Sequence, residues 1–373
     1  MDDGGRQMSR WLRVAEWVSP LAAVAASFLV GALVVAVIGE NPVRVYGILF
    51  RGAFGSADGL GLILFNACPL VFTGLAVAFA FRAGLFNIGG EGQLYIGSLL
   101  CAWAGIALPA LPAVVMVPLL VAAAAGGGAL WAFLPGWLKA RFGVHEVINT
   151  IMMNFIAVGL CSYLVINVLR EPGQMTPQTV EIAATAWLPR LAGGAHFLGI
   201  PLPRANPVNL SFAFALAAVW VAWFILHRTT LGYEIRAVGQ NAKAAECAGI
   251  DVRRTLVTAM LISGAFAGLV AVNEVMGFRH RFLDNFSSGL GFMGIAVALL
   301  GKNTPLGVLL AALLFGVLNA GALEVDVFTT VPRELIQVLQ AVTIILVVVG
   351  NEVLSRRLRA AQAAAACATG EAR

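Results

Sequence analysis

Apolar runs at 18–39, 60–80, 86–108, 112–134, 147–169, 209–227, 255–275, 289–300, 306–323 and 333–350 alternate with short polar breaks along this chain. A helix needs about 20 apolar residues to cross ~30 Å of hydrocarbon, and most of these runs approach that length. The pattern therefore predicts an all-α polytopic membrane protein with about ten transmembrane helices. The first run follows a head, residues 1–17, that carries Arg6, Arg10 and Arg13. It shows no small-residue cleavage site and reads as an uncleaved span. The membrane domain then covers 18–350, and an Ala-rich tail occupies 351–373.

Composition agrees with the pattern, because 60% hydrophobic and 12% charged residues cannot clothe a water-soluble globule of 373 residues. The formal net charge of +5 lies in short loops and tails. It reports orientation and not nucleic-acid binding. With the head inside, ten crossings place Arg82, the Lys139/Arg141 loop, the 228–254 segment, Lys302 and the Arg356, Arg357, Arg359 tail on one inner face. Both termini are then cytoplasmic. Residues 41–59, the Pro- and Gly-rich loop 170–208, and Glu324 with Asp326 fall outside, as do Arg279, His280 and Arg281, against the charge rule. The five cysteines are scattered and the four histidines have no partner at ligand spacing, so neither a disulfide framework nor a metal site is expected. No P-loop, catalytic triad or paired-carboxylate pattern is present, so the chain is expected to be no enzyme and to need no cofactor.

Two polar breaks inside apolar runs carry the candidate chemistry. Residues 82–98 (RAGLFNIGGEGQLYIGS) interrupt a span with Gly84, Gly89, Gly90 and Gly92 and bring Phe86, Asn87, Glu91, Gln93 and Tyr95 to membrane depth. Residues 282–294 (FLDNFSSGLGFMG) bring Asp284, Asn285, Ser287 and Ser288. Irregular backbone and a carboxylate at such depth are tolerated only against protein or a wet cavity. These residues, with Asn154 in HEVINTIMMNFI, are the transport-path candidates. For Glu91 two readings stand: it lines the path, or it accepts bonds from backbone amides or pairs with Arg82. For Asn154 the ordinary reading is interhelical glue. A shift of 197 residues lays Arg82 on Arg279, Phe81 on Phe278, Gly92 on Gly289, Tyr95 on Phe292 and Gly97 on Gly294. The halves near 60–170 and 255–350 are thus expected to be inverted repeats. Gly264 and Gly268 form a G-x-x-x-G, which close helix packing explains.

The 228–254 segment is the long polar stretch between apolar blocks. Asn241 is a good N-cap, residues 242–248 favour helix, and Gly249 sits where a C′ glycine ends one. A helix of about two turns does not hold by itself in water and needs a surface to dock against. The other reading is a solvated connector.

FRAGLFNIGGEGQLYIGS, HEVINTIMMNFIA, LGYEIRAVGQNAKAAECAGI and GIAVALLGKNTPLG together resemble the permease subunit of bacterial ABC importers of the branched-chain amino acid and simple-sugar type, most of all its purine-nucleoside branch. The resemblance covers nearly the whole chain. It implies a multi-pass inner-membrane permease for nucleosides or a related sugar, working with an ABC ATPase subunit, a second related permease in a heterodimer, and an extracytoplasmic solute-binding protein. It also places Leu231, Gly232, Arg236, Gly239, Asn241, Ala245, Glu246 and Gly249 on the family's ATPase-coupling loop. Gln240 departs from the acidic residue common there. The alternative is a secondary transporter in which Glu91 or Asp284 couples an ion or proton. A scaffold without transport is disfavoured by the paired polar breaks.

Overall fold

Helices build this chain almost entirely. The computed structural model describes residues 24–350 except 110, 172, 192–195, 198–199, 202–205, 333–334, 336, 339, 343–344 and 347–348. The head 1–17 and the tail 351–373 lie outside the described residues, as do parts of the 170–208 loop and of the last apolar run. Helices α1 (Val24–Val37), α2 (Pro42–Phe54), α3 (Ala57–Arg82), α4 (Gly90–Ala107), α5 (Ala113–Phe142), α6 (Glu146–Asn167), α7 (Ser211–Arg228), α8 (Thr230–Gln240), α9 (Ala242–Cys247), α10 (Val252–Gly268), α11 (Leu290–Leu300) and α12 (Pro305–Phe328) follow in order. The π-helical stretch Val272–Arg279 extends α10. Among the described residues the only strands are a two-residue antiparallel pair, His196–Phe197 with Ile200–Pro201.

Among the described residues six helices, α3, α5, α6, α7, α10 with its extension, and α12, are long and apolar enough to cross a membrane, or seven if the bent pair α1 and α2 counts as one span. The protein is all-α and polytopic. The expected count of ten included 86–108 and 289–300, where the structure has the glycine-broken α4 and the 11-residue α11. Residues 41–59, expected as an outer loop, instead hold α2. Asn41 opens this helix by accepting from Val43 N–H at 2.9 Å, and Pro42 takes the first helical position, where its missing N–H costs nothing. The chain turns by 119° between α1 and α2, which ends the straight apolar run.

Two compact units are present, 53–320 and a unit of both chain ends, up to Gly52 and from Gly321. In the terminal unit Tyr46 Oη donates to Phe28 O at 2.6 Å, the Phe28 and Tyr46 rings meet edge-on at 5.3 Å, and Thr330 Oγ1 donates to Glu40 at 2.9 Å.

Within 53–320, burial ranks the helices. The apolar window of α3 is 78% buried and that of α10 with its extension 61%, while α5, α6 and α7 reach only 28% each. So α3 is the axis of this unit, and the outer helices turn apolar side chains such as Leu130, Phe155 and Trp220 outward. Those side chains suit lipid contact. Glycines set the closest packing. A Cβ on Gly97 would stand 2.5 Å from Gly268 Cα, and Gly264 lies directly on Gly128 O, so the G-x-x-x-G of α10 brings its backbone onto α5 and α4. Helix ends are chemically closed as well. Gly143, at φ +68°, ends α5, and Lys139 in its last turn bonds Glu146 in the first turn of α6 at 2.7 Å. That pairing places a cation at a helix C-terminus and an anion at the next N-terminus, each favoured by the helix dipole.

The 228–254 segment is more helical than the sequence led us to expect. Besides the short helix α9, it contains α8, which Thr229 caps by accepting from Gly232 N–H at 3.1 Å. The two glycines of α8 weaken its helical signal but are required by packing: Gly232 lies on the backbone of Ile225 and Leu226, and Gly239 on Arg82 O. In α9 the Asn241 side chain accepts from Ala244 N–H at 3.1 Å and Gly249 adopts φ +86°.

Candidate functional site

The break after α3 folds into a non-helical turn, 83–89, that carries the chain back among its neighbours before α4 begins at Gly90. Asn87 organises it. Its Oδ1 accepts from Gly89 N–H at 2.9 Å and from Gln93 Nε2 at 3.2 Å, while its Nδ2 donates to Gln93 Oε1 at 3.0 Å and to Ser263 Oγ at 2.8 Å. Ser263 Oγ donates in turn to Ala76 O at 2.6 Å. Asn154, reaching in from α6, does the same for the next residues. It accepts from Gly92 N–H at 2.8 Å and donates to Ile88 O at 2.9 Å. These side chains are buried. A carboxamide presents one donor group and one acceptor; Asn154 spends both on main-chain groups that a broken helix exposes, while Asn87 accepts from one such N–H and gives its donor to side chains.

Glu91 behaves differently. It is 7% exposed and sits in the first turn of α4, yet its partners come from the second polar break. Gly291 N–H donates to Glu91 Oε2 at 2.7 Å, and Ser287 and the Gly289 N–H complete its shell. The N-termini of α4 and α11 thus meet, with one carboxylate held by the free amides of the other helix. Gly291 is the residue that permits this approach, since a Cβ there would stand 2.6 Å from Glu91 Cα. Arg82, the other partner considered for Glu91, is turned away. Its Nε donates to Asn303 O at 2.9 Å.

Beside this junction lies an aromatic cluster. The Tyr95 ring is 5.2 Å from Phe286 and 6.2 Å from Phe282, and Tyr95 Oη donates to Asn285 Oδ1 at 3.4 Å. Asp284 accepts from Ser162 Oγ of α6 at 2.7 Å, and Ser287 Oγ accepts from Leu290 N–H at 3.1 Å to cap α11. Asn285 and Ser288 adopt left-handed backbone, φ +55° and +47°, and both are exposed, as is Phe292 one turn into α11. The structure therefore brings Glu91, Tyr95, Asp284, Asn285, Ser287 and Ser288 to one junction. Asn87, Gln93 and Asn154 stand behind it, and Phe86 packs edge-on against Phe81 at 4.9 Å.

Other groups were not singled out from sequence. Ser162 is one. A buried polar chain is another: Cys68 Sγ donates to Ser211 Oγ at 3.3 Å, Ser211 Oγ to Asn273 Oδ1 at 2.7 Å, and Asn273 Nδ2 to Glu274 Oε1 at 3.2 Å. Arg279 closes the chain on Glu274 Oε2 at 3.2 Å. The signal was available, because Glu274 is a carboxylate in an apolar span as Glu91 is. Arg281 likewise bonds Glu171 at 2.6 Å and also Glu181, which ties the 170–191 stretch to residues 279–284. Main-chain bonds from Thr179 N–H to Phe282 O and from Asp284 N–H to Pro177 O reinforce that union. Among the described residues no group of three or more His, Cys, Asp or Glu side chains converges as for a metal.

Residues 59–348 match the family described as the permease component of branched-chain amino acid transport systems. The guanosine ABC transporter permease protein NupP of Bacillus subtilis is 42% identical over 90% of this chain and 94% of its own. The nucleoside ABC transporter permease protein NupB of Lactococcus lactis is 37% identical over 88% and 90%. The glucose ABC transporter permease protein TsgB13 of Haloferax volcanii is 36% identical over 93% and 90%. No solved structure is significantly similar.

Proposed function

The chain belongs to the permease family of branched-chain amino acid transport systems, and from that premise we propose that it is the membrane-spanning subunit of an ATP-driven importer of nucleosides or related sugars. The observation that carries this reading is its similarity, over about nine tenths of its length, to permease proteins of guanosine, nucleoside and glucose transporters. ATP is hydrolysed by a separate ATPase subunit docked on α8 and α9. A second related permease completes the pore, and a binding protein delivers the solute from outside a bacterial inner membrane.

Geometry supports a division of labour at the polar junction. Asn87, Gln93 and Asn154 hold the backbone of the turn. Glu91 fixes the N-terminus of α11, and the exposed Asn285, Ser288 and Phe292 face the solute with a carboxamide, a hydroxyl and a ring. That set suits a nucleoside, whose base stacks and whose sugar hydrogen-bonds. The alternative of ion coupling through Glu91 or Asp284 draws no support, since the first is held by α11 amides and the second by Ser162.

The expected topology and repeat fit the same picture. Arg82, Gly239 and Asn303 come together, and Arg281 joins the 170–191 stretch, so segments that the span count assigns to one side group with their own kind. Each half has a helix ending in Phe-Arg, a polar turn and a short glycine-entered helix, and the two short helices meet at their N-termini, as broken helices of inverted repeats do. Both chain termini are then cytoplasmic.

The test is uptake of labelled guanosine and labelled glucose by cells carrying the complete transporter, with and without this chain. Loss of guanosine uptake on deletion is expected, with Phe292→Ala lowering it by a few-fold to about tenfold through lost ring contact. Unchanged uptake of both solutes after deletion rejects the assignment.

A further inference from the structure

A cavity of about 260 Å³ opens between the C-terminal end of α3, the end of α8 and the turn after α11. Arg82, Arg236 and Lys302 all line it, together with Gln240 and Asn303, and among the described residues no carboxylate does. The two guanidiniums lie close enough to act on each other as like charges. Arg82 spends its Nε on Asn303 O, but Arg236 Nη1 is buried with no hydrogen-bond partner among the described residues. A buried guanidinium N–H without an acceptor costs free energy, and so does the repulsion between the cations. Both penalties vanish when an anion enters.

Its position indicates where that anion comes from. The cavity sits at the end of α3, the most buried span, and no residue of the less buried helices α5, α6 or α7 lines it. Its other wall, α8, leads through Asn241 straight into α9, where all residues from 242 to 247 except Ala245 are exposed. A protein seated on α9 therefore comes up beside the end of α8 that lines the cavity. Guanidinium forks match a carboxylate in a bidentate geometry that a hydrated free ion does not need.

We propose that this cavity is the socket for one Asp or Glu side chain of the ATPase subunit, gripped by Arg236 and Arg82. The inference rests on the reading that α8 and α9 dock the ATPase. It adds the chemistry of that docking: an ion pair inserted beside the α9 contact, linking the ATPase directly to α3 and through it to the polar turn at 83–89.

The test uses the full chain in detergent with its co-expressed ATPase, in a Cys367→Ser background. Cys247, exposed on α9, reports docking by maleimide cross-linking to the ATPase, while binding affinity is measured at low and high salt. Arg236→Gln is expected to weaken binding about tenfold or more and to flatten its salt dependence. Arg236→Glu weakens it further, and one Asp or Glu→Arg change on the permease-facing surface of the ATPase restores it. Gel-filtration profiles of the free variants matching wild type confirm that the loss is not one of folding. Wild-type affinity in both variants with Cys247 cross-linking intact overturns the socket and leaves the docking reading standing. Absence of cross-linking in the otherwise wild-type complex defeats the docking reading and the socket with it. Loss of co-purifying anionic lipid from Arg236→Gln, with ATPase affinity unchanged, also overturns the proposal and gives the site to a lipid phosphate.

Discussion

Asn87 and Glu91 are four residues apart, and both are buried polar groups at a helix break, yet they differ in what they join. Asn87 serves its own turn and the adjacent α10, so Asn87→Ala leaves Gly89 N–H, Gln93 and Ser263 short of partners. Each buried group left unsatisfied costs about 1–3 kcal/mol, and we expect lower yield and a lower thermal transition in detergent, which a fluorescence melting assay reads directly. Glu91→Gln keeps an oxygen for Gly291 N–H while losing the charge and one acceptor oxygen, so the fold is expected to survive while uptake falls. Arg82→Gln removes a bond to Asn303 O, on a different set of partners. The double change Glu91→Gln with Arg82→Gln should therefore show the sum of the single effects on stability. Rescue of either single variant by the other would contradict the partners described here.

At the scale of elements, glycine decides which helices can meet. Gly268→Leu drives its Cβ into Ala124 O and toward Gly128 N of α5, and no rotamer avoids these backbone atoms, so we expect loss of monodisperse protein on gel filtration. Gly126→Ala and Gly159→Ala meet nothing within 4 Å and should behave as wild type, which separates close packing from mere glycine content. Gly249 is a third case. It has open space but φ +86°, so Gly249→Val is resisted by the backbone alone, by about 1–2 kcal/mol. The membrane fold is expected to persist while the end of α9 frays, and the measurable result is weaker co-purification with the ATPase at unchanged permease yield.

For the molecule as a whole, the proposed orientation puts α9 on the ATPase side and the 170–191 stretch opposite. Cys68, Cys101 and Cys161 are buried and Cys247 is exposed, so native thiols suffice to test it. With Cys367→Ser removed from consideration, a membrane-impermeant maleimide should label inside-out vesicles and spare right-side-out ones. The reverse pattern would invert the topology and move the cationic cavity to the outer face, where no ATPase can reach it.

Much of the architecture was legible from the chain itself because it depends on local physics. Apolar run length predicts membrane helices through the cost of unpaired backbone in hydrocarbon, and the Asn241 cap with the Gly249 stop marks α9 through main-chain geometry that a single residue controls. The breaks at 82–98 and 282–294 announced themselves as glycine and carboxylate in apolar context. What waited for the tertiary structure was who meets whom. Whether Glu91 takes Arg82 or the amides of α11 depends on the approach that Gly291 allows, 200 residues away, and nothing near either residue encodes it. Helices α2 and α8 were hidden for a related reason: an arginine-bearing stretch and a pair of glycines read as loop until packing supplies the burial and the close contacts that local propensity lacks. The cavity between Arg82, Arg236 and Lys302 joins three segments that share only the same end of the bundle, so its charge emerges from folding and from no one stretch of sequence.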